Sequence, residues 1–192
     1  ENVIDAAFNS IQKAAELIDM KLHSGAHARM GATDVCPLVP ISNVTMKECV
    51  EYSKVLADRV SSKLKIPIFL YEKSATSKQR QNLATIRIGE FEGMFQKIKD
   101  SKWKPDYGPS KMHRSAGVTA IGARNFLIAY NINLNTNDKR IATDIALDIR
   151  EQGRNKRDNK GKFIRNKDGI PIKVPGILKS CKAVGWYLEE YN

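Results

Sequence analysis

The sequence predicts an α/β fold, in which helices cover a β-sheet. Apolar residues recur at spacings of three and four through residues 1–23, which is the pattern of an amphipathic helix. Two short apolar runs, Val35–Pro40 and Ile66–Tyr71, have the length and the bounding residues of buried strands. A helical pattern separates these runs, and the alternation of strand, helix and strand indicates a layered α/β arrangement.

The helix between the two predicted strands has a clear start signal. Thr45 is followed three residues later by Glu48, which is the spacing of a capping box. An apolar stripe continues this helix to about Lys65. At the end of the first helix, Ser24-Gly25 supplies a residue that readily adopts a left-handed cap.

The rest of the chain contains further helical and strand-like patterns. In chain order, we expect a short helix within 77–83, a helix over 90–100, a long loop over 103–117, strands at 118–120 and 126–134, a helix capped by Asn137-Asp138 that ends near Gln152, a loop or short hairpin over 154–179, and a final strand over 181–188. No internal repeat of fixed period is evident.

The composition is typical of a globular domain, because 42% of the 192 residues are hydrophobic and 28% are charged. No apolar run is long enough to predict a membrane-spanning helix. The net charge is +11, and +8 of it lies between Arg150 and Lys182. Such a segment is compatible with a solvated loop, an anionic small ligand or RNA. Phe163 is the only aromatic residue there, which disfavours stacking on single-stranded nucleic acid.

The three cysteines, Cys36, Cys49 and Cys181, show no C-x-x-C spacing. This usage is typical of a reducing compartment and of small buried thiols, with a catalytic cysteine as the alternative. The three histidines also lack metal-ligand spacing, apart from His23 and His27 on either side of Gly25. We therefore expect no metal site.

The first candidate site is the turn over residues 25–37, which holds more polar chemistry than a turn requires. His27 could exchange a proton near neutral pH, or it could only satisfy a backbone carbonyl. Arg29 could bind a carboxylate through two parallel hydrogen bonds, or it could form a surface ion pair. Asp34 could orient His27 or Arg29, or it could stabilise the turn.

The second candidate site is the loop from Gly108 to Gly117. Its bracketing glycines allow a close approach between backbone and ligand, and its polar side chains offer donors to anionic or carbonyl oxygens. The loop matches neither the Walker A nor the dinucleotide-binding glycine spacing. An ordinary solvated loop is the alternative.

Two blocks resemble the glutamate formimidoyltransferase family: Leu17-Ile18-Asp19-Met20, and His27-Ala28-Arg29-Met30-Gly31-Ala32-Thr33-Asp34-Val35-Cys36-Pro37. The usual family pattern is H-P-R-M-G-A-x-D-V-C-P-F. The resemblance continues through seven further blocks, which together cover nearly the whole chain. They are Val44–Val50, Pro67–Tyr71, Arg87–Gly93, Trp103–Ser110, Gly117–Leu134, Ala146–Arg154 and Val184–Tyr187.

The resemblance implies a cytoplasmic, folate-dependent enzyme of histidine breakdown. It would transfer a formimino group between N-formimidoyl-L-glutamate and tetrahydrofolate without a metal, as a homodimer, with formyl transfer as the alternative on the same scaffold. His27 falls on the family's proton-transfer histidine. The family's folate loop falls on Gly108, Pro109, Ser110, Lys111, Met112, His113, Arg114, Ser115, Ala116 and Gly117.

The implied fold has two subdomains, residues 1–125 and 126–192, each a mixed β-sheet with helices on its outer face. The two sheets would pack around a substrate tunnel. The resemblance also implies an internal fragment, which lacks the first strands and an aspartate that usually pairs with the histidine. The second subdomain would be truncated, and a cyclodeaminase domain follows it in some family members.

Three departures from the family pattern have chemical consequences. Ala28 replaces the usual proline without removing a reactive group. The stretch 111–114 is more basic than the usual apolar one, which favours a polyglutamate tail on the folate. Ala116 replaces a common tryptophan and so removes a stacking surface.

Overall fold

The computed structural model describes residues 2–25 and 27–189 and confirms the α/β class. The chain forms two compact units, residues 1–128 and 129–192. The elements of the first unit are α1 (Asn2–Leu17), β1 (Val35–Leu38), α2 (Met46–Leu64), β2 (Ile68–Leu70), α3 (Leu83–Arg87), α4 (Glu90–Lys97) and β3 (Thr119–Ala123), with short 3₁₀ helices at Glu72–Ser74, Lys78–Arg80 and Ser101–Trp103. Within the described part of the chain, no helix is long and apolar enough to cross a membrane.

The sheet of the first unit is parallel, with the order β1-β3-β2. The last strand in the sequence is therefore the central one, and Ala120 lies beside Val35 on one edge and Phe69 on the other. All five residues of β3 are buried, as expected for a strand with neighbours on both sides and helices over it.

The two faces of the sheet contribute to separate apolar cores. On one face, Ile68 and Leu70 pack with residues of α1 and α2. On the other, Phe69 packs with residues of α3 and α4. This alternation follows from the two-residue period of a strand. The second core also contains Met30 and Met112, so it underlies both candidate segments.

The capping box at the start of α2 is confirmed. The Glu48 N–H donates to Thr45 Oγ1 over 3.2 Å, and the Thr45 N–H donates to Glu48 Oε2 over 2.8 Å. The hydrogen bond from the Thr45 hydroxyl is the main cause that lowers the pKa of the Glu48 carboxyl. The helix ends at Leu64, with Lys65 as a left-handed cap, close to the predicted boundary.

The predicted end of the first helix is wrong, because α1 ends at Leu17 and not at Ser24-Gly25. An Asx turn interrupts the helix: the Asp19 carboxylate accepts a hydrogen bond from the Lys21 N–H over 3.0 Å. At the same point the Met20 N–H donates to the Ser115 carbonyl over 2.8 Å, and the Met20 side chain is buried. A hydrogen bond to a residue distant in the sequence thus takes the place of the predicted last turn of the helix.

The predicted strands at 126–134 and 181–188 do not form. Within the described residues, the first segment makes no backbone hydrogen bonds, and its large apolar side chains are exposed. The second segment has Gly185 against α5 (Lys139–Ile149), where an added Cβ would lie 2.4 Å from Ala142 C. Alternating or apolar residues form a strand only where another strand edge receives them.

The second unit contains α5, which begins at the predicted cap, Asp138, but ends three residues before Gln152. A short antiparallel pair, β4 (Arg154–Asn155) and β5 (Lys173–Val174), follows it and confirms that a hairpin lies in 154–179. The arginine that begins β4 donates to the carboxylates of Asp144 and Asp148 on α5.

Between β4 and β5 the chain forms two smaller hairpins, so that the whole has the outline of a cloverleaf. Three residues meet at its centre in a ring of hydrogen bonds: Ile164 N–H to Lys156 O, Ile172 N–H to Ile164 O, and Lys156 N–H to Ile172 O. We call the β4–β5 pair the stem and the hairpins 157–163 and 165–171 the leaves.

The two leaves have the same construction, eight residues apart. Asp158 in one and Asn166 in the other accept two backbone N–H groups, and a glycine with positive φ, Gly161 or Gly169, closes each turn. Arg157 and Arg165 donate to the carbonyls of those glycines. The expectation of no internal repeat is therefore wrong. The R-[DN]-x-x-G pattern occurs twice, and it is short enough to pass for ordinary turn chemistry.

We predict that Thr45→Ala lowers the free energy of unfolding by about 1 kcal/mol, because the first turn of α2 loses its side-chain acceptor. Thr45→Ser keeps the hydroxyl and is expected to unfold close to the wild type. Urea unfolding followed by far-ultraviolet circular dichroism measures both. An equal loss in the two variants would show that the hydroxyl is not the source of the stability.

Candidate active site

The two candidate segments lie side by side in the structure, joined through their backbones. The Val118 N–H donates to the Met30 carbonyl over 3.1 Å, and the Ala32 N–H donates to the Ala116 carbonyl over 2.9 Å. Gly31 and Gly117 form an antiparallel bridge between these bonds. The loop that carries His27 and the loop over 108–117 are therefore held together at their bases.

Only glycine fits at the crossing point of these loops. A Cβ on Gly31 would lie 2.0 Å from the Val118 carbonyl oxygen, and one on Gly117 would lie 2.3 Å from the Met30 carbonyl oxygen. Gly117 also has a φ of 70°, a left-handed conformation that disfavours other residues. The close approach sets the spacing of the two loops.

The His27 side chain is exposed at the open end of the first loop, and its Nδ1 lies 3.0 Å from the Ala28 carbonyl oxygen. A carbonyl can only accept a hydrogen bond, so this contact assigns the proton of the neutral ring to Nδ1. The lone pair is then on Nε2, on the other side of the ring. This tautomer leaves Nε2 available to take a proton from a bound amine.

Arg29 binds carboxylates, but those of its own chain. Its guanidinium donates to Glu92 over 2.8 Å and 3.0 Å and to Glu90 over 3.0 Å, at the start of α4. These bonds, that to Glu92 first, raise the pKa of Arg29. The Phe91 N–H also donates to the Arg29 carbonyl over 2.9 Å. Arg29 thus fastens the His27 loop to the amino end of α4, where carboxylates are favoured.

Asp34 stabilises the turn, which was one of the roles considered from the sequence, and among the described residues it orients neither His27 nor Arg29. One carboxylate oxygen accepts the Met30 N–H over 2.8 Å, and the other pairs with Arg87 at the end of α3. Its carbonyl accepts the Ala120 N–H over 2.9 Å, which ties the same residue to the central strand. Asp34 therefore holds the loop that carries His27, and among the described residues it does not hold the imidazole itself.

The loop over 108–117 has an inner and an outer part. Met112 and Ala116 are buried in the apolar cores, and His113 Nδ1 accepts the Ala116 N–H over 3.0 Å. Ser110, Lys111 and Arg114 are exposed. The inner residues shape the loop, and the outer ones are free to meet a ligand.

A groove of about 460 Å³ runs between the outer part of this loop and α4. Its lining residues are Phe95, Ile98, Lys99, Ser110, Lys111, Met112 and Arg114. The size suits a small organic ligand, since pockets for such ligands measure roughly 300–1,000 Å³. The lining combines apolar side chains with three cations and contains no carboxylate among the described residues.

The thiols are poorly placed for nucleophilic chemistry. All three cysteines are unpaired, and burial raises the pKa of both Cys36 and Cys49, which disfavours the reactive thiolate. Within residues 2–25 and 27–189, no cluster of three or more His, Cys, Asp or Glu side chains could hold a metal ion.

Sequence reasoning missed six residues that build this region. Arg87, Glu90 and Glu92 bind side chains of the His27 loop. Phe95, Ile98 and Lys99 line the groove. They lie in an ordinary amphipathic stretch, where charged residues normally face solvent. The block Arg87–Gly93 resembles the family, but that resemblance assigns no role to its residues. The paired acids at the start of α4 predict a helix end, not a partner for Arg29.

Among the described residues, Nε2 of the exposed His27 ring has no hydrogen-bond partner, and the loop that carries it is joined to the loop that lines a ligand-sized groove. An α/β domain with these features is suited to binding a small ligand and to exchanging a proton with it. Comparison with known proteins then identifies the family. Residues 1–124 match the N-terminal subdomain of the formiminotransferase domain, and residues 129–192 match the formiminotransferase domain. The chain belongs to the formiminotransferase family, as its resemblance predicted.

Two kinds of curated relative show the same relationship. The chain is 48% identical over 190 residues to a glutamate formimidoyltransferase of Streptococcus pyogenes, which covers 99% of this chain and 56% of that protein. It is 46% identical over 192 residues to a formimidoyltransferase-cyclodeaminase of Dictyostelium discoideum, covering 100% of this chain and 33% of that protein. The pig protein of the same name is 43% identical and is covered to 32%. The chain thus spans from a third to little more than half of these relatives.

We predict that Asp34→Ala lowers the free energy of unfolding by about 3 kcal/mol, because it leaves a partly buried arginine without its carboxylate. Asp34→Asn should cost less, since its amide oxygen still accepts the Met30 N–H and asparagine tolerates the φ of 58° at this position. Chemical unfolding measures both losses. Asp58→Ala, at an exposed position of α2, is the control, and a loss as large as that of Asp34→Ala would contradict the assignment.

Proposed function

We propose that this chain contributes the catalytic histidine and a folate-binding loop to an enzyme that transfers a formimino group between N-formimidoyl-L-glutamate and tetrahydrofolate. Membership of the formiminotransferase family supports this reaction. The observation that carries the assignment is the exposed His27 imidazole, whose Nε2 has no hydrogen-bond partner in the described part of the chain, on a loop joined by backbone to residues 116–118.

In the proposed mechanism, His27 is the general acid–base. With tetrahydrofolate as acceptor, its N5 attacks the formimino carbon while Nε2 of His27 takes the N5 proton. The formimino nitrogen is protonated before the attack and becomes an amino group. The tetrahedral carbon then carries three nitrogens: this amino group, N5 and the glutamate nitrogen. The bond to the glutamate nitrogen then breaks, and His27 returns the proton to that leaving nitrogen. The reverse reaction exchanges the two amines, and the ring ends each cycle in its starting protonation state.

The same proposal includes the folate contact, the cellular role and the oligomeric state. Tetrahydrofolate would contact the loop from Gly108 to Gly117, where Lys111 and Arg114 are exposed cations. A polyglutamate tail would complement those charges. The mechanism calls for no metal ion. We further propose a cytoplasmic role in histidine degradation, and a homodimer as the assembled form.

Some of the eleven cations between Arg150 and Lys182 make hydrogen bonds within the fold, which disfavours the alternative hypothesis of RNA binding. Arg157 and Arg165 are used inside the leaves, where their guanidinium groups donate to backbone carbonyls. Arg154 is likewise bound to carboxylates of α5. Part of the positive charge of this segment therefore stabilises the cloverleaf.

We predict that His27→Ala lowers kcat by roughly 10²- to 10⁴-fold, the usual contribution of general acid–base catalysis, with little change in KM for tetrahydrofolate. Steady-state kinetics on a protein that carries the whole formiminotransferase domain measures this. His23→Ala is the matched control, because its exposed ring lies four residues earlier, and His23 bonds to Asp19 and Arg29 through its backbone N–H and carbonyl. A His27→Ala enzyme with undiminished kcat would disprove the assignment.

A separate assay tests whether the transferred group is formimino or formyl. N-formimidoyl-L-glutamate is expected to be turned over faster than N-formyl-L-glutamate, because protonation of its imine nitrogen makes the carbon a better electrophile. Parallel assays with tetrahydrofolate as acceptor give the ratio of kcat/KM. A ratio in favour of the formyl donor would assign the sister reaction to this scaffold.

A further inference from the structure

The groove between α4 and the loop over 108–117 has a chemical character that selects its ligand. Ile98 and Met112 are almost fully buried, and they provide an apolar floor. Phe95 stands at one side with 39% of its surface exposed. It packs edge-to-face on Phe91 with ring centroids 5.3 Å apart, so the aromatic wall is supported from behind.

Among the described residues, no carboxylate pairs with the cations of the groove. The Lys99 ammonium donates to the uncharged Gln96 side chain over 3.1 Å. Lys111 and Arg114 form no ion pair with any residue in 2–25 or 27–189. This contrasts with Arg29, whose charge is balanced by two carboxylates. An apolar slot with three uncompensated positive charges is complementary to an aromatic ring that bears a carboxylate.

We propose that this groove binds the aminobenzoyl-glutamate arm of the folate, with its ring against Phe95 and Met112 and a glutamate carboxylate at Lys99. The proposal rests on the proposed function, and it adds two residues that lie outside the loop of 108–117. Phe95 and Lys99 are then specificity-determining residues supplied by α4 and the residue just beyond its cap. An aromatic edge contributes contact area at little entropic cost, and an ammonium fixes the end of the ligand by charge.

The placement also explains why α4 is anchored so firmly. Arg29 binds Glu90 and Glu92 at the amino end of this helix, and the groove lies at its carboxyl end. The helix therefore connects the loop that carries His27 to the wall that holds the folate arm. A short rigid element of this kind keeps the reacting nitrogen and the catalytic ring in register.

The test uses p-aminobenzoyl-L-glutamate and its uncharged analogue p-aminobenzamide, titrated into this chain by isothermal titration calorimetry. Lys99→Glu should weaken binding of the glutamate conjugate by about tenfold or more, because a charge-assisted hydrogen bond is lost and a repulsion is gained. It should leave binding of p-aminobenzamide unchanged. Phe95→Ala should weaken both compounds.

Lys102→Glu is the matched control, since it makes the same charge change at an exposed lysine outside the groove lining. Equal weakening by Lys99→Glu and Lys102→Glu would reduce the effect to overall charge and overturn the proposal. So would the absence of binding of the conjugate by wild-type chain, or unchanged binding in both groove variants, provided that circular dichroism shows native folding. None of these outcomes depends on turnover, so the proposed reaction and His27 stand or fall by their own assay.

Discussion

The geometry of the candidate site depends on the carboxylate of Asp34. It receives the Met30 N–H and the Arg87 guanidinium, while the carbonyl of the same residue receives the Ala120 N–H of the central strand. One residue, held in the left-handed region, therefore connects the His27 loop to α3 and to the middle of the sheet. Because both charged partners are largely buried, neither can be removed without leaving the other uncompensated.

Local chemistry made part of the fold predictable from sequence. The Thr45 and Glu48 pair needs only four consecutive residues, and its geometry in the structure is that of a capping box. The strand predictions for 126–134 and 181–188 were wrong for the opposite reason, since a strand needs the edge of a neighbouring strand, which no local pattern can guarantee. The early end of α1 is similar, because the Met20 N–H is taken by Ser115, far away in the chain.

The candidate site shows the same division. The residue types of the His27 turn and the loop over 108–117 marked both segments, but their adjacency depends on backbone bonds across Gly31 and Gly117. Arg29 and Asp34 have charged partners outside the turn, on α4 and α3, and these could not be predicted from the turn itself. The part of α4 in the groove could not be predicted for a further reason. Phe95 and Lys99 follow an ordinary amphipathic pattern, and they line a groove only because the loop over 108–117 folds opposite them.

The cloverleaf of the second unit has a consequence for how chain length varies. Each leaf leaves and re-enters the ring of Lys156, Ile164 and Ile172, and each is closed by its own arginine and glycine. The leaves are thus self-contained units, which are connected to the β4–β5 stem only through the residues at their ends. A change in the length of one turn is therefore expected to alter that leaf alone, as long as its two ends keep their places in the ring.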